Sequence, residues 1–171
     1  MWAFDGRKRP DFAVAPAAGQ ESVWDYPRPP RLAQDSRHVE VWHGAQRIAA
    51  SRRAWRVLET ASPPTFYLPA GDVAMTLLQP APGSSYCEWK GAASYFALAD
   101  DNARGQVVAW SYPRPTGAFA GLAGYLSFYP GRVQCRVDGE VVRPQPGGFY
   151  GGWITDEIIG PSKGEPGTGH W

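Results

Sequence analysis

Proline and glycine punctuate this chain from end to end, with 17 prolines and 20 glycines among 171 residues. Each proline removes a backbone donor and biases its predecessor toward extended geometry, while glycine opens turns that other residues resist. A chain interrupted so often favours many short strands over long helices. Its 43% hydrophobic content is still enough to enclose a core, and the length fits one domain with extensions. No run of about 18 apolar residues occurs, which excludes a membrane-spanning helix. Met1-Trp2-Ala3-Phe4-Asp5-Gly6-Arg7 has no apolar export segment, so the expected location is the cytoplasm, without a membrane partner.

The formal net charge is +1, too small for the positive field that drives association with phosphate backbones, so nucleic acid is not an expected partner. Residues 1–56 carry 10 Lys and Arg against 6 Asp and Glu, and the remainder 7 against 10, a mild polarity that reads as a solvated arginine-rich edge. The two cysteines, Cys87 and Cys135, form no Cys-x-x-Cys pair, and the three histidines are scattered. Neither a disulfide framework nor a zinc site follows from that spacing, and no cofactor signature is present.

Three regions follow from the pattern. Residues 1–37, with five prolines and little periodicity, read as an extension whose Trp2, Phe4, Phe12, Trp24 and Tyr26 press it against the domain. Residues 38–143 form the β core, and the Gly-rich residues 144–171 form a tail wrapped on that core. Within the core, His38–His43 and Gln46–Ala50 form a hairpin across Gly44. Ser51–Glu59 is ambiguous between helix and strand and is read as strand. Gly71–Leu78 suits one or two helical turns with Asp72 near the start. Pro80–Ser85 reads as a loop, and Ala93–Leu98 and Val107–Tyr112 as strands around a turn at Asp100-Asp101-Asn102 and Gly105. Thr116 is placed to cap a short turn through Phe119 and Leu122. Gly124–Tyr129 is expected to pair with Arg132–Val137 across Pro130-Gly131, and Asp138-Gly139 to turn the chain into Val141-Val142.

Chemistry concentrates in Tyr86-Cys87-Glu88-Trp89-Lys90-Gly91-Ala92-Ala93-Ser94-Tyr95-Phe96, which brings a thiol, an amine, two phenols and an indole together. Lys90 beside a glycine turn suits a carboxylate or phosphate, and Tyr86, Trp89, Tyr95, Trp110 and Tyr112 offer flat faces with polar tips. Cys87 beside Lys90 is a candidate nucleophile, because a neighbouring ammonium favours thiolate. The plainer reading comes first in both cases: a free cysteine is more often an apolar filler, and such rings are more often core. The ending Gly160–Gly169 has Lys163-Gly164 but lacks the Gly-x-x-x-x-Gly-Lys-Ser/Thr spacing of a phosphate loop. Trp24-x-Tyr26-Pro27-Arg28-Pro29 recurs as Trp110-x-Tyr112-Pro113-Arg114-Pro115, an echo without flanking similarity that could place matching surfaces on two sides of one cleft.

Five segments together resemble the family catalogued as domain of unknown function 427, sometimes filed under a nucleotidyltransferase-like label. They are Glu21-Ser22-Val23-Trp24-Asp25-Tyr26-Pro27-Arg28-Pro29-Pro30, Tyr86-Cys87-x-x-Lys90-Gly91-x-Ala93-x-Tyr95, Ala109-Trp110-Ser111-Tyr112-Pro113, Ala123-Gly124-Tyr125-x-x-Phe128-Tyr129 and Gly151-Gly152-Trp153-Ile154-Thr155. The resemblance implies a bacterial, mainly β domain of tent-like type, with small antiparallel sheets, one or two short helical segments and no zinc. It implies no reaction. Nucleotidyl transfer needs a Gly-Ser turn closely followed by spaced carboxylates, and Gly83-Ser84 lies too far from Asp100-Asp101 for that.

The expectation is a domain binding a small anionic or aromatic molecule in a cleft lined by Tyr86, Cys87, Lys90, Tyr95, Trp110 and Tyr112, with Cys87 and Lys90 the candidate catalytic residues if a reaction follows. The alternatives are a structural or protein-interaction module and Cys87-dependent thiol chemistry. A homodimer stays open.

Overall fold

Valines alternate with polar residues at the start of the core, and in the computed structural model, which describes residues 1–100 and 105–171, that alternation becomes a ladder. The strands, numbered along the chain, are β1 (Glu21–Ser22), β2 (Arg31–Asp35), β3 (Val39–His43), β4 (Gln46–Ser51), β5 (Ala54–Leu58), β6 (Thr65–Tyr67), β7 (Leu78–Cys87), β8 (Gly91–Leu98), β9 (Val107–Ser111) and β10 (Leu126–Phe128). They continue as β11 (Gln134–Val137), β12 (Glu140–Val141), β13 (Arg143–Pro144), β14 (Trp153–Ile154) and β15 (Ile158–Ile159). The fold is mainly β, built from small sheets that are antiparallel except for the short β1–β15 pair. The other sheets have the orders β12-β11-β3-β4, β10-β9-β8-β7, β2-β5-β6 and β13-β14.

Period-2 alternation sends Val39 and Val41 of β3, Ile48 of β4, and Cys135 and Val137 of β11 into one apolar layer. There they meet Leu78, Leu98, Ala109, Leu126 and Phe128 from the β7–β10 sheet, with Phe66 and Trp153 filling between. The hairpin turn at Asp138 and Gly139 has φ of 47° and 82°, the doubly left-handed geometry that an Asp-Gly pair adopts readily.

Four expectations need correction. Pro80–Ser85 is not a loop but part of the ten-residue β7. This strand is the outer edge of its sheet, where a proline need donate nothing on the open side, and an irregularity between Ala81 and Ser84 absorbs Pro82 and Gly83. Gly124–Tyr129 does not pair with Arg132–Val137: β10 joins β9, while β11 crosses to β3, so that Phe128 and Cys135 enter the same core from opposite sheets. Gly71–Leu78 makes two single 3-10 turns, Ala70–Asp72 and Met75–Leu77, and Asp72 closes the first rather than starting it. Its carboxylate accepts hydrogen bonds from Ser51 at 2.6 Å and Arg53 at 2.9 Å. Finally, the segment read as an irregular extension contributes strands: all five residues of β2 pair with β5. Ala54–Leu58 is a strand as expected, and Thr116 precedes a 3-10 turn over Gly117–Leu122, although its side chain makes no cap bond. The turn expected at Asp100-Asp101-Asn102 falls mostly outside the described residues.

The two chain ends meet. Phe12 stacks on Trp171 with centroids 4.9 Å apart, and Trp24 stands edge-on to Phe4, Phe12 and Trp171. Beside this cluster an ionic chain runs from Glu21 through Arg56, Asp35 and Arg37 to Glu157. The Arg56 bond holds the Glu21 carboxyl below its ordinary range despite partial burial. Burial alone would raise Asp35, but Arg37's side-chain and backbone donors outweigh it and the net direction is down. Asp72 is lowered by Arg53. Carboxyls depressed in the folded state contribute stability that is complete above their unfolded values and lost as pH falls through the folded ones. The melting temperature is therefore expected to stay level from about pH 8 to pH 5 and to drop steeply below about pH 4. A flat thermal profile down to about pH 2 would show that these pairs contribute little.

Candidate functional site

One face of the β7–β10 sheet carries the site. Tyr95 on β8 lies directly opposite Trp110 on β9, and Ser85 on β7 lies opposite Ala93, two residues before Tyr95. Side chains two apart on a strand share a face, so Ser85, Ala93, Tyr95 and Trp110 all turn the same way, and Tyr112 extends the row past the end of β9. Val57 of β5 and Tyr67 of β6 close the other wall, and the chain at Gln145–Gly151 covers the mouth. Between them lies a cleft of about 450 Å³, bordered by Glu59, Lys90 and Arg132 as well as the rings. That volume suits a small organic molecule.

The rings are held in place. Trp110 donates its indole N–H to the Tyr67 hydroxyl at 3.1 Å, meets that ring edge-on with centroids 6.1 Å apart, and packs against Tyr129 at 4.6 Å. Gly151 approaches Trp110 so closely that a Cβ there would lie 2.2 Å from Cη2. Gln145 anchors the cover: its amide donates to the Lys163 carbonyl at 2.6 Å and its oxygen accepts from the Gly152 N–H at 3.1 Å. Phe149 and Tyr150, in edge contact at 4.9 Å, stand exposed at the rim.

Lys90 ends the turn between β7 and β8, where Gly91 at φ 92° lets the chain double back. The residue is only 7% exposed, and its Nζ lies 5.5 Å from the Tyr112 ring and 5.7 Å from Phe119. Among the described residues no carboxylate comes within 4.0 Å of this ammonium. Burial alone would lower its pKa, but the Tyr67 hydroxyl, the Cys87 thiol and the Glu59 carboxylate outweigh that, and the net direction is up. Lys90 is thus a cation at neutral pH. Burial pushes the Tyr67 and Tyr112 phenols above their ordinary value, so both stay protonated and able to donate. At the other end of β9, Arg132 stacks 4.2 Å over Tyr129 and donates to the Val107 carbonyl at 2.6 Å.

Of the residues singled out from sequence, Lys90, Tyr95, Trp110 and Tyr112 border the cleft. Tyr86 does not: it is 79% exposed, one residue past Ser85 and therefore on the opposite face of β7. Cys87 is half-buried against the aromatic cluster and close enough to act on the Lys90 charge, but it does not border the cavity. Sequence reasoning missed Glu59, Tyr67, Tyr129, Arg132 and Tyr150, which come from four remote segments. The Gly-flanked Phe149-Tyr150 pair was the one local signal for them. The repeated Trp-x-Tyr-Pro-Arg-Pro segments do not face each other across the cleft. Trp24 and Tyr26 belong to the cluster at the chain ends, and Arg28 is buried where Arg114 is exposed.

Cys135 lies wholly inside the core, and burial pushes its thiol well up. Iodoacetamide at neutral pH is expected to alkylate Cys87 in the native protein and Cys135 only after denaturation. Modification of both at equal rates would contradict the packing around β11.

Small antiparallel sheets enclosing an aromatic-walled cleft with one buried ammonium define a mainly β protein with a ligand-sized hollow. The model of the family described as a domain of unknown function (DUF427) matches residues 31–142, and the chain belongs to that family. The match opens at the first residue of β2 and ends just after β12, so it takes in Glu59, Tyr67, Lys90, Trp110 and Tyr129 but not the Gln145–Gly151 cover. No curated protein matches the chain. Among the described residues no group of His, Cys, Asp and Glu is arranged to hold a metal ion, and no helix is long and apolar enough to cross a membrane.

Proposed function

We propose that the protein binds a small planar anion, a carboxylate or phosphate on an aromatic or conjugated body, in the cleft between the β7–β10 sheet and the Gln145–Gly151 cover. One observation carries the reading: among the described residues, Lys90 is a buried cation with no carboxylate within 4.0 Å. Burying an ammonium is costly unless an opposite charge meets it, and the cleft is where such a charge can enter. The Tyr112 and Phe119 rings offset part of that cost through their negative faces. Trp110, Tyr95 and Tyr129 would stack on the ligand body, while the Tyr67 and Tyr112 hydroxyls would donate to it. The reading places the protein in the cytoplasm, among soluble metabolites, and assigns no chemical step.

A thermal-shift screen against anionic metabolites tests it. A ligand at 100 times its Kd stabilises the native state by about 2.7 kcal/mol, which raises the melting temperature of a chain this size by roughly 5–10 °C. Lys90→Met should abolish that shift. Met fills nearly the same space, so the free protein should stay folded and lose no more than about 1.5 kcal/mol. An unchanged shift in Lys90→Met, or a variant several kcal/mol less stable without ligand, would overturn the reading.

A further inference from the structure

The chain has three lysines, and two of them are buried. The second is Lys163, only 4% exposed, in the segment after the family match ends. Its backbone is fixed on both sides: the N–H donates to the Ala61 carbonyl at 2.7 Å and the carbonyl accepts from Gln145. Its Nζ lies 4.0 Å from the centroid of the Trp2 ring and 5.2 Å from that of Tyr150. No carboxylate lies within 4.0 Å of it among the described residues. Arg28 stands over the same Trp2 ring at 4.4 Å, its guanidinium buried, permanently charged and bonded to the Phe4 and Thr60 carbonyls.

We propose that Lys163 is a nucleophilic amine that condenses with the carbonyl group of a small aldehyde or ketone to form an imine. Two aromatic rings lie against the nitrogen, and the Arg28 guanidinium over the same indole, itself 3.4 Å from the Glu59 carboxylate, disfavours a second positive charge there; desolvation and a neighbouring cation are the two devices that activate lysine amines. The indole face would favour an ammonium by about 1 kcal/mol, but the Arg28 guanidinium already occupies that ring. Burial and then Arg28 lower the Lys163 pKa, while Glu59 and Glu88 oppose them, and the net direction is down. Those three residues, with the Tyr150 phenol, are the titratable and charged groups around the amine.

The step balances without an oxidant or reductant. The nitrogen lone pair attacks the carbonyl carbon, the two amine protons pass in turn to the former carbonyl oxygen, and that oxygen leaves as water as the C=N bond forms. Tyr150, on the cleft rim, and the partly exposed Trp2 are the two covers a carbonyl compound must pass. The proposal does not depend on an anion at Lys90.

Reductive trapping tests it. The native protein is incubated with propanal and sodium cyanoborohydride at pH 7, and the modified lysines are mapped by mass spectrometry, with exposed Lys8 as the internal reference. Lys163 is expected to be modified several-fold faster than Lys8, because its lowered pKa leaves more of the amine unprotonated. Its rate should level off at a lower pH. Labelling is carried out with no anion added and scored at Lys163 itself, which separates this result from the fate of the anion site. Modification of Lys163 no faster than Lys8, or only after denaturant is added, would overturn the proposal and leave Lys163 as a pin for Trp2.

Discussion

Trp153→Ala is expected to lower unfolding free energy by about 4 kcal/mol, within the 3–5 kcal/mol typical of removing a large buried aromatic. The indole is fully buried, stacks on Phe66 with centroids 4.8 Å apart and planes 22° apart, and donates to the Phe128 carbonyl at 3.0 Å. Truncation would leave a cavity where both four-stranded sheets meet and a carbonyl without its donor. Urea denaturation followed by circular dichroism measures the loss, and the melting temperature should fall by roughly 10 °C. Trp153→Phe keeps most of the volume and forfeits the N–H, so about 1–2 kcal/mol should go. If Trp153→Ala cost less than about 1 kcal/mol, the central packing described for this core would be wrong.

Gly151→Ala should damage both stability and the cleft. A Cβ at this position would lie 2.2 Å from Cη2 and 2.6 Å from Cζ3 of Trp110, far inside contact distance. Trp110 cannot retreat, because Tyr67 accepts its indole N–H and Tyr129 lies against the ring. The cover must move instead, and Phe149 and Tyr150 move with it. Overpacking of this kind costs about 1–3 kcal/mol, and any cleft ligand should lose affinity in proportion to the displaced wall. Gly148→Ala is the control: φ is +72° there but nothing lies within 4 Å of the added carbon, so backbone strain of about 1 kcal/mol should act without reshaping the cleft. Equal ligand affinity in the two variants would show that the Gly151–Trp110 contact does not shape the site.

Local signals carried part of the architecture. The hairpin across Gly44, the Asp138-Gly139 turn and the strand at Ala54–Leu58 were legible because alternation and turn chemistry act between neighbours. β7 was not, because a proline's missing donor matters only on a strand side that has a partner, and the edge position emerges when the sheet assembles. Nor could the residues on either side of Pro130-Gly131 be assigned to separate sheets: each needs a partner about 20 residues away or much further. Within the site, Lys90, Tyr95, Trp110 and Tyr112 stood out by type and proximity in sequence. Tyr86 stood out equally and faces solvent, because one residue along a strand reverses the side chain.

Sequence by itself thus determined the mainly β class of this protein, because frequent proline and glycine forbid long helices and alternating residues demand sheets, and its match over residues 31–142 put it in the DUF427 family. Tertiary structure alone decided that Lys90 and Lys163 are buried with no carboxylate within 4.0 Å among the described residues, and that Tyr67, Tyr129 and Tyr150 join Trp110 around one hollow. Burial and charge neighbourhood are properties of surfaces brought together across the chain, and no spacing of residues along it encodes them.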